Sequence, residues 1–153
     1  MIQIRPWQVA DTEPLLAVFR KNVPVAFGES EVAEYADFLT TYQEPYVVAE
    51  HEGRVVGACG HSIRLHEQKA HIVWIFADPA LKGLGIGTAL MRYNLLAIRQ
   101  YPEVTELICR TSQVAYAFFE RFGFQLQYTQ PDYWVPGLDL YYMTVKPDGL
   151  RGL

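Results

Sequence analysis

Apolar residues recur along this chain with two periods, and the order in which the periods alternate predicts the fold. Residues 2–5 alternate as a short strand, and Asp11 is placed to cap a helix running to about residue 21, with Pro14 tolerated in its first turn. Residues 29–42 carry Val32, Tyr35, Ala36 and Leu39 at helical spacing, which predicts a second helix and turns Glu31, Glu34 and Asp37 to another face. Three strands follow at 46–50, 54–65 and 70–77, divided by the turn His51-Glu52-Gly53 and a polar segment from His66 to Lys69. After Pro79 the pattern becomes a helix over 85–101, a strand over 104–110, a helix over 112–122 and two closing strands at 124–130 and 138–145.

The order βααβββαβαββ predicts an α/β (α+β) mixed sheet, mostly antiparallel, of about seven strands flanked on both faces by about four helices. Prolines and glycines stand singly as turn punctuation, with no repeat and no linker-like block, so residues 1–153 read as a single domain. With 50% hydrophobic and 14% aromatic residues, the chain can build one substantial core.

Charge and cysteine usage narrow the function classes. A net charge of -4 gives no broad basic surface, so no nucleic-acid partner is expected. The N-terminus lacks the apolar core of a signal peptide and no stretch approaches about 18 apolar residues, so a soluble, cytoplasmic protein without a membrane partner is expected. Cys59 and Cys109 stand alone in apolar strand-like runs and read as buried free thiols. His51, His61 and His66 have no metal-ligand spacing either, and no metal is expected.

The segment Lys82-Gly-Leu-Gly-Ile-Gly-Thr88 leaves a strand and opens a helix. Glycines there let backbone approach a ligand closely, and the unpaired N–H groups and positive dipole end of the helix favour an anion, phosphate above all. A P-loop is excluded because Lys82 precedes the glycines and no Lys-Ser or Lys-Thr follows them. A dinucleotide fingerprint fails from Gly85 because position 90 is Leu, and from Gly83 because position 88 is Thr.

These residues resemble the GNAT acetyltransferases. That family's cofactor motif, Gln/Arg-x-x-Gly-x-Gly/Ala after a strand ending in a Val-x-Pro-like element, is matched by Ala77-Asp78-Pro79 and Lys82-x-x-Gly85-x-Gly87. Ile4-Arg5-Pro6, Asp11 and Leu15 look like its opening strand and helix, and Gly57 lies in its third strand. Its second motif, Asn-x-x-Ala-x-x-x-Tyr-x-x-x-Gly-Phe, is matched in spacing by Ser112, Ala115, Phe119, Gly123 and Phe124, with two side chains changed.

The resemblance implies a GNAT fold and direct transfer of acetyl from acetyl-CoA to a primary amine of a small molecule, peptide or protein. It implies that Lys82, Gly83, Leu84, Gly85, Ile86, Gly87 and Thr88 hold the pyrophosphate, that backbone at Ile75, Phe76 and Ala77 pairs with the pantetheine, and that Ser112 and Phe119 complete the cofactor site. His71 stands on the same strand where one branch of the family carries a Glu base, and an imidazole suits that task; a strand-edge His bonded to backbone or solvent is the competing reading. Phe119 replaces the family's Tyr general acid, so Tyr116 is the candidate acid, against a core or pocket Tyr or protonation by water. The aromatic segment 130–138 reads as an acceptor pocket, a homodimer contact or a satellite core. Glu29, Glu31 and Glu34 read as a solvated helix face or as attraction for an amine. The alternative for the whole chain is a GNAT-like module that binds CoA with little turnover.

Overall fold

The computed structural model describes residues 1–153. Seven strands, β1 (Ile2–Pro6), β2 (Tyr46–His51), β3 (Arg54–Arg64), β4 (Lys69–Ala77), β5 (Glu106–Thr111), β6 (Gln125–Val135) and β7 (Leu138–Val145), form one sheet in the order β1-β2-β3-β4-β5-β7-β6. Only β4 and β5 are parallel; all other neighbours are antiparallel. Four helices, α1 (Thr12–Arg20), α2 (Glu31–Thr41), α3 (Ile86–Ile98) and α4 (Tyr116–Glu120), cover the two faces. The predicted order and mixed α/β architecture are those observed.

Strand alternation sends successive side chains to opposite faces and so makes two cores. On one face Leu90, Met91, Leu95 and Ile98 of α3 pack over Val47, Ala49, Ala70, Leu107 and Cys109, with Phe119, Phe122 and Phe124 closing the cluster. On the other, Leu15, Leu16, Val18 and Phe19 of α1, with Tyr35 and Leu39 of α2, pack over Val48, Ala58 and Phe76. Both cysteines are buried free thiols, and burial pushes each thiol pKa up. No helix is long and apolar enough to cross a membrane.

Several local expectations are corrected. Asp11 stands before α1 but does not cap it: its carboxylate takes two bonds from Arg5, both at 2.9 Å, and one from the Gln8 N–H at 2.7 Å. Those Arg5 bonds outweigh its desolvation and lower its pKa. The helix expected over 112–122 is only Tyr116–Glu120, because the Ser112 carbonyl first accepts from Ala115 and Tyr116 in a turn and Gly123, at φ 101, ends the last turn. The first closing strand, expected to end at residue 130, continues as β6 to Val135, and Asp132 accepts from the Gly137 N–H at 2.7 Å inside the hairpin.

Candidate active site

The site begins where a ladder stops. β4 and β5 pair at Lys69↔Glu106, Ala70↔Leu107 and His71↔Ile108, and no pairing follows. Past His71 the strands diverge, and a cleft of about 530 Å³ opens along β4. The β4 edge that faces β5 there is left with backbone groups that no strand satisfies, a place where an extended amide ligand fits.

β4 is also bent within the cleft. Its register against β3 shifts between Ala58 and Gly60, and opposite that shift Trp74 has φ 40, an uncommon conformation for a residue with a Cβ. Buried tyrosines fix the bend: Tyr46 donates to the Trp74 carbonyl at 2.8 Å. Since that uses the only Tyr46 proton, Tyr35 is the donor in the 2.9 Å bond between the two hydroxyls. Burial raises the pKa of both, so both stay protonated donors. On the same strand, Asn22 donates to the Ala77 carbonyl at 3.1 Å.

The turn after β4 is anchored by Asp78, which accepts from the Ala80 N–H at 2.9 Å and pairs with Lys21 at 2.9 Å. Burial pushes its pKa up, but these bonds prevail and hold it low. Gly83 and Gly85 then take φ 90 and φ 76, and Gly85 is the residue that precedes α3. A Cβ at either would meet no protein atom within 4 Å, so the turn presents bare backbone to open space. The N–H groups of Ile86, Gly87 and Thr88 belong to the first turn of α3, which leaves them without intrahelical acceptors and makes an anion site. Gly87 fits tightly, since a Cβ there would lie 3.2 Å from the Phe118 ring. Such a cradle, with the open β4 edge behind it, fits the pyrophosphate and pantetheine of acetyl-CoA.

The cleft passes through the sheet and has two unlike ends. Ile75 and Ala77 face the α3/α4 core, where Gly87, Ala115, Phe118 and Phe119 complete an apolar wall. The opposite end, on the α1/α2 face, gathers Phe27, Glu31, Arg64, His71, Arg110 and Trp134. His71 is half-buried, and burial, then the nearby Arg64 guanidinium, lowers its pKa, so the imidazole is neutral near pH 7. Glu31 is only 3% exposed and accepts from the Gly28 N–H at 2.8 Å, while burial raises its pKa. The expected solvated helix face is thereby corrected for Glu31, whose carboxylate is turned inward because the chain before α2 folds over the cleft.

Most of the sequence-derived candidates therefore meet. His71, Ile75, Phe76, Ala77, Gly87, Ser112 and Phe119 line the cleft, and Lys82, Gly83, Leu84, Gly85, Ile86 and Thr88 form the turn and helix start at its mouth. The Ile86 side chain points into the core, so only its backbone serves the turn. Phe119 is a buried ring against Phe118 and Phe124. Tyr116 does not line the cleft; its ring lies 4.9 Å from Tyr141. Sequence reasoning missed Arg64, Arg110 and Asn22, whose only signal was a polar residue interrupting or ending an apolar run.

Known proteins resemble the chain over most of its length. Residues 6–124 match the acetyltransferase (GNAT) family. An N-alpha-acetyltransferase of Sulfolobus acidocaldarius is 26% identical over 92% of this chain and 90% of its own. An uncharacterized N-acetyltransferase of Methanocaldococcus jannaschii is 32% identical over 75% of this chain and 74% of its own. Among solved structures, a phosphinothricin acetyltransferase of Sinorhizobium meliloti in complex with acetyl-CoA superposes with a TM-score of 0.73 at 24% identity, over 95% of this chain and 88% of that one, a likeness of fold.

Proposed function

The chain belongs to the acetyltransferase (GNAT) family, one solved structure of like fold holds acetyl-CoA, and from that premise we propose that it acetylates a primary amine directly from acetyl-CoA, with His71 as the base. The observation that carries this reading is the divergence of β4 from β5 after His71, beside the glycine turn that opens α3. In the proposed complex the pyrophosphate lies on the N–H groups from Gly83 to Thr88 with Lys82 beside it, and the pantetheine follows the β4 edge at Ile75, Phe76 and Ala77.

Acetyl-CoA supplies the acetyl group as a thioester, and attack by a neutral amine forms the amide as the carbon–sulfur bond breaks and CoA leaves. The residues prepare that attack. His71, neutral near pH 7, accepts the proton that an ammonium must lose before its nitrogen can attack. Glu31, turned into the cleft, attracts the cationic acceptor, and Tyr46 holds the Trp74 bend that shapes the reacting end of the cleft. With Phe119 in the acid position and Tyr116 not lining the cleft, the second proton, lost by the nitrogen as the amide forms, passes through water to the departing thiolate, a leaving group of ordinary thiol pKa about 8.5 that needs little assistance.

The test is release of free CoA thiol from acetyl-CoA against a panel of primary amines, run beside a thermal-shift titration with CoA. Binding at a hundredfold excess over Kd should add about 2.7 kcal/mol of apparent stability. Amine-dependent thiol release that falls in His71→Ala supports the reading. A CoA shift without release from any amine would leave a cofactor-binding module, and no shift would refute the cofactor site.

A further inference from the structure

We propose that the acceptor amine carries an oxyanion of its own, a carboxylate or a phosphorus oxyanion in the same small molecule, and that Arg64 and Arg110 bind it while the amine is presented to His71; this rests on the acetyl-transfer reading above. Strand register brings these residues together. Arg64 pairs across with Lys69 and Ser62 with His71 on one side of β4, while Lys69 pairs with Glu106 and His71 with Ile108 on the other. Alternation along the strands therefore sets Arg64, Lys69, His71, Glu106, Ile108 and Arg110 on one face, the face of α1 and α2.

The ion pairs on that face leave out its two arginines, although Glu67 also stands near His71. Lys69 is matched by Glu106 at 3.9 Å, whereas neither Arg64 nor Arg110 has a carboxylate partner. The chain holds 17 acidic against 13 basic residues, so two unmatched guanidiniums lining one cleft run against its overall charge. Arg110 is also held in place: it donates to the Tyr133 hydroxyl and its guanidinium lies 5.2 Å and 5.5 Å from the Tyr133 and Trp134 rings. A guanidinium positioned in advance loses less freedom when it binds a planar or tetrahedral oxyanion.

These arginines are not needed for the cofactor's phosphates, which the glycine turn serves at the start of α3, on the far side of the cleft. Glu31 completes the pattern. One of its oxygens accepts from Gly28, and the other has no hydrogen-bond partner yet is not sealed from solvent, so it opens on the cleft that Glu31 lines. Arg64 and Arg110 stand near the His71 imidazole, with Lys69 and Glu67 also close to it, and Glu31 lines the same cleft. Two guanidiniums and a carboxylate along one cleft complement a zwitterion, a molecule with an ammonium and an anion a few bonds apart.

The experiment is calorimetric titration of the CoA-saturated protein with L-α-amino acids, their methyl esters and the corresponding 1-aminoalkylphosphonates, with turnover of the same compounds measured in acetyl-CoA. The free acids or the phosphonates should bind about tenfold or more tighter than the esters, the worth of one charge-assisted hydrogen bond. In the doubly substituted R64Q, R110Q protein that difference should disappear, and circular dichroism checks that the fold is kept. Preference for the acids or for the phosphonates identifies which oxyanion is recognised. Esters binding as well as both anionic sets, no binding by any of them, or a preference that survives R64Q, R110Q would overturn the proposal. Anion-dependent binding without turnover would sustain the oxyanion site and refute the transfer reading instead.

Discussion

The Tyr46 hydroxyl, fully buried, donates to the carbonyl of Trp74 at 2.8 Å and so ties β2, across β3, to the bent residue of β4 in the middle of the cleft. The bend at φ 40 costs energy in any residue with a Cβ, and this bond with the Tyr35 hydroxyl behind it offsets the cost. Tyr46→Phe should therefore destabilise the protein by about 1–3 kcal/mol, the cost of a buried carbonyl and a buried hydroxyl losing their partner. Tyr35→Phe should cost about 1 kcal/mol, because the Trp74 carbonyl keeps its donor. Urea unfolding measures both, and equal losses would mean that Tyr46 does not hold the bend.

The lowered pKa of His71 fixes the sign of two pH effects. As a base it must be neutral, so kcat/KM should rise with pH through a value below the ordinary 6.5 and the rise should vanish in His71→Gln. For stability, the unfolded chain binds the His71 proton at higher pH than the folded chain does, so unfolding free energy contributed by this group rises with pH. It is lost as pH falls from about 6.5 through the folded value. A pH–rate profile unchanged in His71→Gln would remove it from the base role.

Glu31 titrates in the opposite sense. Its folded pKa is raised by burial, so its contribution to stability falls as pH climbs from the ordinary 4.5 through the folded value. Glu31→Gln keeps an oxygen for the Gly28 N–H but loses the charge that draws a cation, and KM for the amine should rise by about tenfold with little change in acetyl-CoA affinity. An unaltered KM would confine Glu31 to structure.

Gly85 separates backbone strain from cofactor binding. Gly85→Ala places a Cβ at φ 76 where no protein atom obstructs it, so the cost should be about 1–2 kcal/mol of backbone strain. In the proposed complex the same Cβ projects into the phosphate path, and CoA titration should show weaker binding in protein that is still folded. Full CoA affinity in that variant would move the pyrophosphate elsewhere.

Tyr116 packs on Tyr141 and does not line the cleft, so Tyr116→Phe should leave turnover in place. A loss of about a hundredfold or more would instead identify it as the general acid.

Local rules carried the sequence a long way. The period of the apolar positions determined the order of strands and helices, and Gly83 and Gly85 marked the turn into α3, because periodicity and positive φ are written in neighbouring residues. The place of His71 on β4 followed from the same pattern. Tertiary structure alone decided that β4 leaves β5 after His71, that Trp74 bends under Tyr46, that Glu31 turns inward, and that Arg64 and Arg110 meet on one face. Those relationships depend on register between strands distant in sequence and on what covers each face, and a one-residue slip in register would have sent the same side chains to the opposite core.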